Sequence, residues 1–225
     1  MDTEGKTRTS TDDAYAELRR AMVDTQIRAR GLNDERVLAA MATVPRHEFV
    51  DPGLQSHAYE DEPLPIGKGQ TISQPYIVAV MTSALRLRGT ERVLDIGTGC
   101  GYQAAVLSLL SKEVHGVELR ADLADAAALR LRRLGFSNVQ VHCGDGSLGL
   151  PEFSPFDAIL VGAAAPSIPE PLLDQLAEGG RMIVPVGPEE EQDLMLVTRY
   201  AGQLFFERHE PCRFVPLLGQ YGWKD

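Results

Sequence analysis

The spacing of apolar residues predicts two helices near the start of the chain. From Tyr15 to Arg30 apolar residues recur at roughly helical intervals among charged ones, and Gly31 follows as a stop signal. A second helix, capped by Asn33 or Asp34, should end before Pro45. The recurring apolar residues are Leu18, Met22 and Ile27 in the first helix, and Val37, Leu38 and Met41 share one face of the second.

The segment from 51 to 72 is rich in residues that interrupt regular structure, so we expect a long loop there. Long loops within a compact domain are often functional. Ser73 comes next and Pro75 follows it. Because Ser is a favoured helix cap and Pro is tolerated in the first turn, a third helix is predicted to run through about Leu87. The interrupting residues are Gly53, Pro63, Pro65, Gly67 and Gly69.

Beyond Leu87, short apolar runs alternate with helical stretches. This alternation predicts an α/β fold with a doubly wound, mostly parallel, Rossmann-like sheet covered on both faces. The chain then changes to a pattern typical of antiparallel strands joined around Ala201 and Gly202. The parallel strands are predicted at Arg92–Ile96, Val114–Val117, Val139–Val141, Ala158–Val161 and Met182–Val186, the antiparallel ones at Leu194–Arg199 and Leu204–Glu207, and two helices at Tyr102–Leu110 and Glu170–Ala177, the latter stopped by Gly179 and Gly180.

Composition narrows the class of protein. The 225 residues suffice for one domain with a hydrophobic core, and residues 1–13 are polar enough to predict a flexible tail. The net charge of -10 argues against nucleic-acid binding, which depends on Lys and Arg. We expect no membrane span, no export signal and a cytoplasmic location, because no apolar stretch reaches 18 residues. The three cysteines are too far apart to indicate a metal site.

The sharpest motif is a buried strand that runs directly into three alternating glycines and then a helix, reading VLDIGTGCGY from Val93 to Tyr102. Glycines there allow unusual backbone angles and close approach of a ligand. A dinucleotide fingerprint would need glycine where Tyr102 stands, and the Gly-Lys-Ser/Thr ending of a phosphate-binding P-loop is absent. The pattern that remains, D-x-G-x-G-x-G, resembles the first motif of class I S-adenosylmethionine-dependent methyltransferases.

That resemblance implies which residues bind the cofactor. Asp95 would help to orient its methionine part, at the turn formed by Gly97, Thr98, Gly99 and Gly101. Glu118 ends the next strand about 20 residues after the first glycine, where an acidic side chain meets ribose hydroxyls in such sheets. Asp145 and Gly146 follow the third strand, where the family holds the adenine ring.

The sequence offers no obvious catalytic base. None of the five histidines lies in a nucleophile motif or a paired metal motif. A methyl acceptor that is already ionised at neutral pH, such as a carboxylate, needs no base. We therefore favour a carboxylate acceptor and no metal.

Several segments resemble the protein-L-isoaspartate O-methyltransferase family over about residues 20–218. The resemblance implies methyl transfer to the alpha-carboxyl of L-isoaspartyl residues in damaged proteins and peptides, Ser73 as the active-site serine, and a single methyltransferase domain (14–225) with substrate-gripping helices and loop (14–88) and a cofactor-binding sheet (89–225). We expect a monomer. The segments are GQTISQPY (69–76), QIRARGL (26–32), VPRHEFV (44–50), AAAP (163–166) and RFVPL (213–217).

Three other hypotheses stay open at this stage: a related carboxyl methyltransferase acting on a specific peptide Asp or a small carboxylate, a cofactor-binding regulator without catalysis, and an adaptor that uses the N-terminal helices. Ser73 has a second interpretation as a helix cap. Two residues depart from the family pattern, because Cys100 stands where many relatives have Ser and Gly162 where Thr is common.

Overall fold

A computed structural model describes residues 14–224, so the predicted tail at 1–13 lies outside the described residues. Its centre is a seven-stranded sheet in the spatial order β5-β4-β3-β6-β7-β8-β9. The strands β3 to β7 pair in parallel, and β8 and β9 are antiparallel, which confirms the predicted fold class. The bounds are β3 Arg92–Ile96, β4 Glu113–Glu118, β5 Val139–Cys143, β6 Phe156–Val161, β7 Leu176–Val186, β8 Gln192–Tyr200 and β9 Gln203–Cys212.

Both predicted N-terminal helices are present. Helix α1 (14–22) continues into a π-helical turn, Val23–Ile27, and a 3-10 turn, Arg28–Arg30, before Gly31 ends it at a φ of 92°. Helix α2 spans Glu35–Thr43, and the Asp34 side chain accepts hydrogen bonds from two backbone N–H groups in its first turn. Of the two predicted caps, Asp34 is therefore the one used.

The predicted long loop contains regular structure. A 3-10 helix spans Pro52–His57, and an antiparallel hairpin follows, with β1 at Leu64–Gly67 and β2 at Gln70–Ile72. Lys68 and Gly69 form its two-residue turn, both with positive φ (55° and 71°), as tight hairpins require. Of the glycines that suggested a loop, Gly67 and Gly69 lie at this turn, whereas Gly53 lies in the 3-10 helix.

The third helix, α3, spans Pro75–Ala84 and ends before the predicted Leu87. Its N-cap residue is Gln74, whose side chain makes no capping hydrogen bond. The interpretation of Ser73 as a helix cap was therefore wrong. Instead, Asp61 accepts a hydrogen bond from the backbone N–H of Tyr76, in the first turn.

The remaining helices are α4 (Tyr102–Ser108), α5 (Ala121–Arg133) and α6 (Glu170–Asp174). The last is shorter than predicted, because β7 already begins at Leu176. Gly179 and Gly180 lie within that strand rather than stopping a helix. A Cβ at Gly180 would lie 2.8 Å from the carbonyl oxygen of Ala177, so this irregular stretch accepts glycine only.

The core lies on both faces of the sheet, because successive strand residues point to opposite sides. Val93 packs with residues of α2, α3 and α4, whereas Leu94 packs on the other face with Leu172 of α6. Within residues 14–224 no helix is both long and apolar enough to traverse a bilayer.

The sheet also determines where a ligand can bind. Strand β3 lies between β4 and β6. From β3 the chain continues to β4 and β5 on one side, and it then crosses over to β6 on the other side, so the strand order reverses at β3. Ligands bind in the crevice at such a switch point in open α/β sheets.

Candidate active site

The glycine turn lies at this switch point, between β3 and α4. Gly97, Gly99 and Gly101 have φ angles of 78°, 55° and 93°, a region that side chains with a Cβ disfavour. A Cβ at Gly101 would also lie 3.1 Å from Cδ1 of Leu131. Glycine is therefore needed here both for backbone conformation and for close packing of α4 on α5.

Asp95, in strand β3, is a buried carboxyl group. It is 1% exposed, and neither carboxyl oxygen accepts a hydrogen bond from residues 14–224. The pKa of Asp95 is raised to about 7, chiefly by burial and in smaller part by the negative charge of Glu118, while the nearby Thr98 side chain lowers it. A buried carboxylate is costly unless something pairs with it, so Asp95 suits a positively charged ligand group.

Glu118 is 6% exposed and lies against the same turn. Its carboxylate accepts from the backbone N–H of Gly99 at 2.9 Å and from that of Arg120 at 3.0 Å. Carboxylate oxygens can accept more than one hydrogen bond each. Glu118 therefore holds the turn in shape and still has acceptor capacity for ligand hydroxyls.

The structure places Gly146 and Asp145 differently. Gly146 lines a cavity of about 50 Å³ together with Gly97, Gly99 and Glu118. The carboxylate of Asp145 accepts instead from the backbone N–H and hydroxyl of Ser147 and from the backbone N–H of Gln220, at 2.9, 2.7 and 2.7 Å. The Asp145 side chain thus connects the loop after β5 to the C-terminal segment, residues 213–224. The predicted contact between this side chain and adenine gains no support from these bonds.

Three cavities meet in the site. An open cleft of about 780 Å³ lies outermost, the 50 Å³ cavity lies beside Glu118, and one of about 40 Å³ contains Asp95. Thr71 and Gly162 line all three. A Cβ at Gly162 would lie 3.3 Å from the carbonyl oxygen of Ile96, so a larger residue here would crowd the junction.

Ser73 lines both the open cleft and the Asp95 cavity. Its side chain makes no hydrogen bond to residues 14–224. The hydroxyl is thus free to donate to a group that enters from the cleft and reaches toward Asp95.

The C-terminal segment forms a wall that the sequence analysis did not assign to the site. Val215 and Pro216 line both the cleft and the Glu118 cavity. The backbone of Ala164 bonds to Val215 and Leu217 at 2.8 and 2.7 Å, and Trp223 donates its indole N–H to Ala164 at 3.1 Å. The segments AAAP and RFVPL, noted only for their resemblance to a family, were the available signal.

Histidine and cysteine side chains supply no catalytic base or metal ligand among the described residues of the site. No histidine is among the residues that line the three cavities. Cys100 lines the Asp95 cavity but is 6% exposed, and burial raises the pKa of its thiol, which keeps it neutral. Over residues 14–224, no three His, Cys, Asp or Glu side chains are grouped as metal ligands would be.

The doubly wound sheet, the glycine turn and the buried carboxylates define an α/β protein with a nucleoside-type ligand site at the switch point. The chain belongs to the protein-L-isoaspartate(D-aspartate) O-methyltransferase family, whose model matches residues 17–222. Among curated relatives, the protein-L-isoaspartate O-methyltransferase of Methanoculleus marisnigri is 55% identical over 92% of this chain and 94% of its own length. That of Roseiflexus castenholzii is 56% identical over 91% and 94%.

Solved structures agree. A protein-L-isoaspartate O-methyltransferase that is 34% identical superposes with a TM-score of 0.81, over 90% of this chain and 67% of the other. A Plasmodium falciparum protein described as such an enzyme, in complex with S-adenosyl-L-homocysteine, is 27% identical, with a TM-score of 0.76 over 89% and 98%.

Proposed function

We propose that this chain repairs proteins by transferring a methyl group from S-adenosyl-L-methionine to the alpha-carboxyl of L-isoaspartyl residues. Family membership supports the reaction. The observation that carries the assignment to this site is the position of the Ser73 hydroxyl, between an open cleft and the cavity that contains the buried Asp95 carboxyl group.

The residues of the inner cavities fit this cofactor, which supplies a methyl group activated by a sulfonium. The unpaired Asp95 suits a ligand with cationic groups, since a positive charge would offset the burial of the carboxylate. The turn Gly97, Thr98, Gly99 and Gly101 would approach it closely. Glu118 would accept from ribose hydroxyls, Gly146 would line the adenine end, and Asp145 would act through the C-terminal segment.

The acceptor side needs orientation rather than a base. An alpha-carboxylate is already ionised near neutral pH, so it can attack without losing a proton. Ser73 would donate a hydrogen bond to one carboxylate oxygen and leave the other directed inward. Phe214 and the C-terminal segment would exclude water from the junction.

Esterification has a chemical consequence for the damaged site. The neutral methyl ester is a better electrophile than the carboxylate, so the neighbouring backbone nitrogen attacks it, methanol leaves and a succinimide forms. Hydrolysis of the succinimide by water then returns part of the material to normal aspartate.

The shape of the outer cleft supports a peptide substrate. Its volume of about 780 Å³ is open to solvent, and its lining carries both charges, from Arg30 and Arg213 and from Glu189, Glu190 and Glu210. A flexible chain segment could enter there without a sequence motif. The proposal includes a monomer, a cytoplasmic location and no nucleic-acid partner. The net charge of -10 supports the last of these.

The test uses a labelled methyl donor with an isoaspartyl peptide and its twin that contains normal Asp. We expect label in the isoaspartyl peptide only. Equal labelling of both would favour a broader carboxyl methyltransferase, and no labelling would contradict the proposal. Ser73→Ala should lower kcat at least tenfold while the Kd for S-adenosylhomocysteine stays within twofold.

A further inference from the structure

Asp61 is the hub of a hydrogen-bond network next to Ser73. Gln74 donates from its side-chain nitrogen to Oδ2 of Asp61 at 2.8 Å and to the backbone oxygen of Asp61 at 2.9 Å. The backbone N–H of Tyr76 donates to Oδ1 at 3.3 Å. The residues on the C-terminal side of Ser73 are thus held by a single carboxylate from the segment before the β1–β2 hairpin.

Arg30 completes the network from the end of the first helix. Its Nη1 lies 2.7 Å from Oδ2 of Asp61, and its guanidinium lies over the Tyr76 ring, 3.5 Å from the centroid. The side chains of Arg30 and Asp61 are 46% and 25% exposed, so the charges remain hydrated and neither group is costly to bury. Tyr76 is thus contacted twice: the Arg30 guanidinium packs on its ring, and Asp61 accepts a hydrogen bond from its backbone N–H.

This arrangement explains what positions Ser73. The serine side chain makes no hydrogen bond of its own within residues 14–224, and Gln74 does not cap α3. Ile72, on the other side, is buried in the hairpin. A carboxylate at the first turn of α3 replaces the missing cap and interacts favourably with the positive end of the helix.

We propose that Asp61 is a positioning residue for methyl transfer, which holds the Ser73 hydroxyl at the junction of the cavities with Arg30 as its counter-charge. Asp61 does not line any of the three cavities, so it acts through Ser73 rather than on the substrate. The inference rests on the proposed role of Ser73.

The test compares Asp61→Asn with Glu60→Gln. Glu60 is an adjacent carboxylate whose side chain is 55% exposed and bonds only to His57 among residues 14–224. The asparagine amide would direct N–H groups toward Arg30 and Gln74, so the network should loosen. With an isoaspartyl peptide we expect kcat to fall about tenfold in Asp61→Asn, since small misplacements of an orienting group carry losses of this size or larger. The control should match the wild type.

Two readouts separate positioning from general stability. The Kd for S-adenosylhomocysteine should stay within twofold, and Asp61→Asn should add less than twofold to the kcat loss of Ser73→Ala. An unchanged kcat, a parallel loss of cofactor affinity, or losses that multiply in the double variant would each overturn the proposal.

Hydrogen exchange provides a readout without activity. Amides from 73 to 78 should exchange faster in Asp61→Asn than in the wild type or Glu60→Gln, and equal exchange would overturn the proposal. If the wild type methylates no isoaspartyl peptide, the proposed function fails. The exchange measurement still shows whether Asp61 holds the segment from 73 to 78 in place. Should Asp61→Asn not fold, Arg30→Gln keeps the helix cap. Because Arg30 also lines the outer cleft, its readout is hydrogen exchange at 73–78, which should be faster than in the wild type; unchanged exchange would overturn the proposal.

Discussion

Replacing Asp95 with asparagine should strengthen the cofactor-free fold at alkaline pH and weaken cofactor binding. The carboxyl group is fully buried without a hydrogen-bond partner among residues 14–224. Its pKa rises from the ordinary 3.8 to about 7 on folding. Since one pKa unit corresponds to about 1.4 kcal/mol, the ionised carboxylate costs the fold on the order of 4 kcal/mol above pH 7.

The pH dependence has a definite direction. Between pH 4 and pH 7 the folded chain keeps a proton on Asp95 that the unfolded chain has released. The folded state therefore binds more protons, and the free energy of unfolding falls as pH rises through this window. Asparagine cannot titrate, so the stability of Asp95→Asn relative to the wild type should rise by about 3 kcal/mol between pH 5 and pH 8.

Urea unfolding of both proteins at pH 5, 6, 7 and 8, followed by circular dichroism, measures this difference. The constant cost of a buried amide cancels, because only the change with pH is compared. Calorimetry with S-adenosylhomocysteine should show at least tenfold weaker binding to the variant at pH 8. Parallel pH profiles for the two proteins would refute the reasoning, since Asp95 would then titrate in its ordinary range.

Three further substitutions test other parts of the structure. Glu118→Gln should raise the Kd for S-adenosylhomocysteine about tenfold by calorimetry, because the amide has one acceptor oxygen left for the two backbone N–H groups and the ribose hydroxyls; an unchanged Kd would argue against a ribose contact. Gly101→Ala should lower stability to urea by about 1–3 kcal/mol, since its φ of 93° is strained for alanine and Leu131 is close; wild-type stability would contradict this. Asp34→Ala should cost about 1 kcal/mol through loss of the α2 cap, with kcat and KM unchanged; altered kinetics would connect that helix to the site.

Much of the fold could be predicted because its signals are local. The strand from Arg92 to Ile96 and the hairpin around Ala201 lie where the patterns indicated. The glycine turn was recognisable because three glycines directly after a buried strand have few other uses. The alternation of strands and helices indicates parallel strands. The turn lies at the switch point because β4 and β6 flank β3 in that sheet.

The errors arose where distant residues decide local structure. Ser73 has the sequence of a helix cap, yet Asp61 serves α3 from another segment. The cofactor role of Asp145 stays a prediction, because its hydrogen bond from the backbone N–H of Gln220 neither confirms nor excludes it. Gly180 resembles a helix stop, yet it lies inside a strand.

The sequence by itself determined the class of fold, the glycine turn and the acidic residues Asp95 and Glu118 beside it. Only the tertiary structure decided that Asp95 has no hydrogen-bond partner within residues 14–224, that the C-terminal segment lines two cavities, and that Arg30 and Asp61 hold the segment carrying Ser73. The physical reason is the separation along the chain over which each kind of interaction acts. Periodicity and turn chemistry act between neighbours along the chain, whereas burial and hydrogen-bond partners depend on which distant segments pack together.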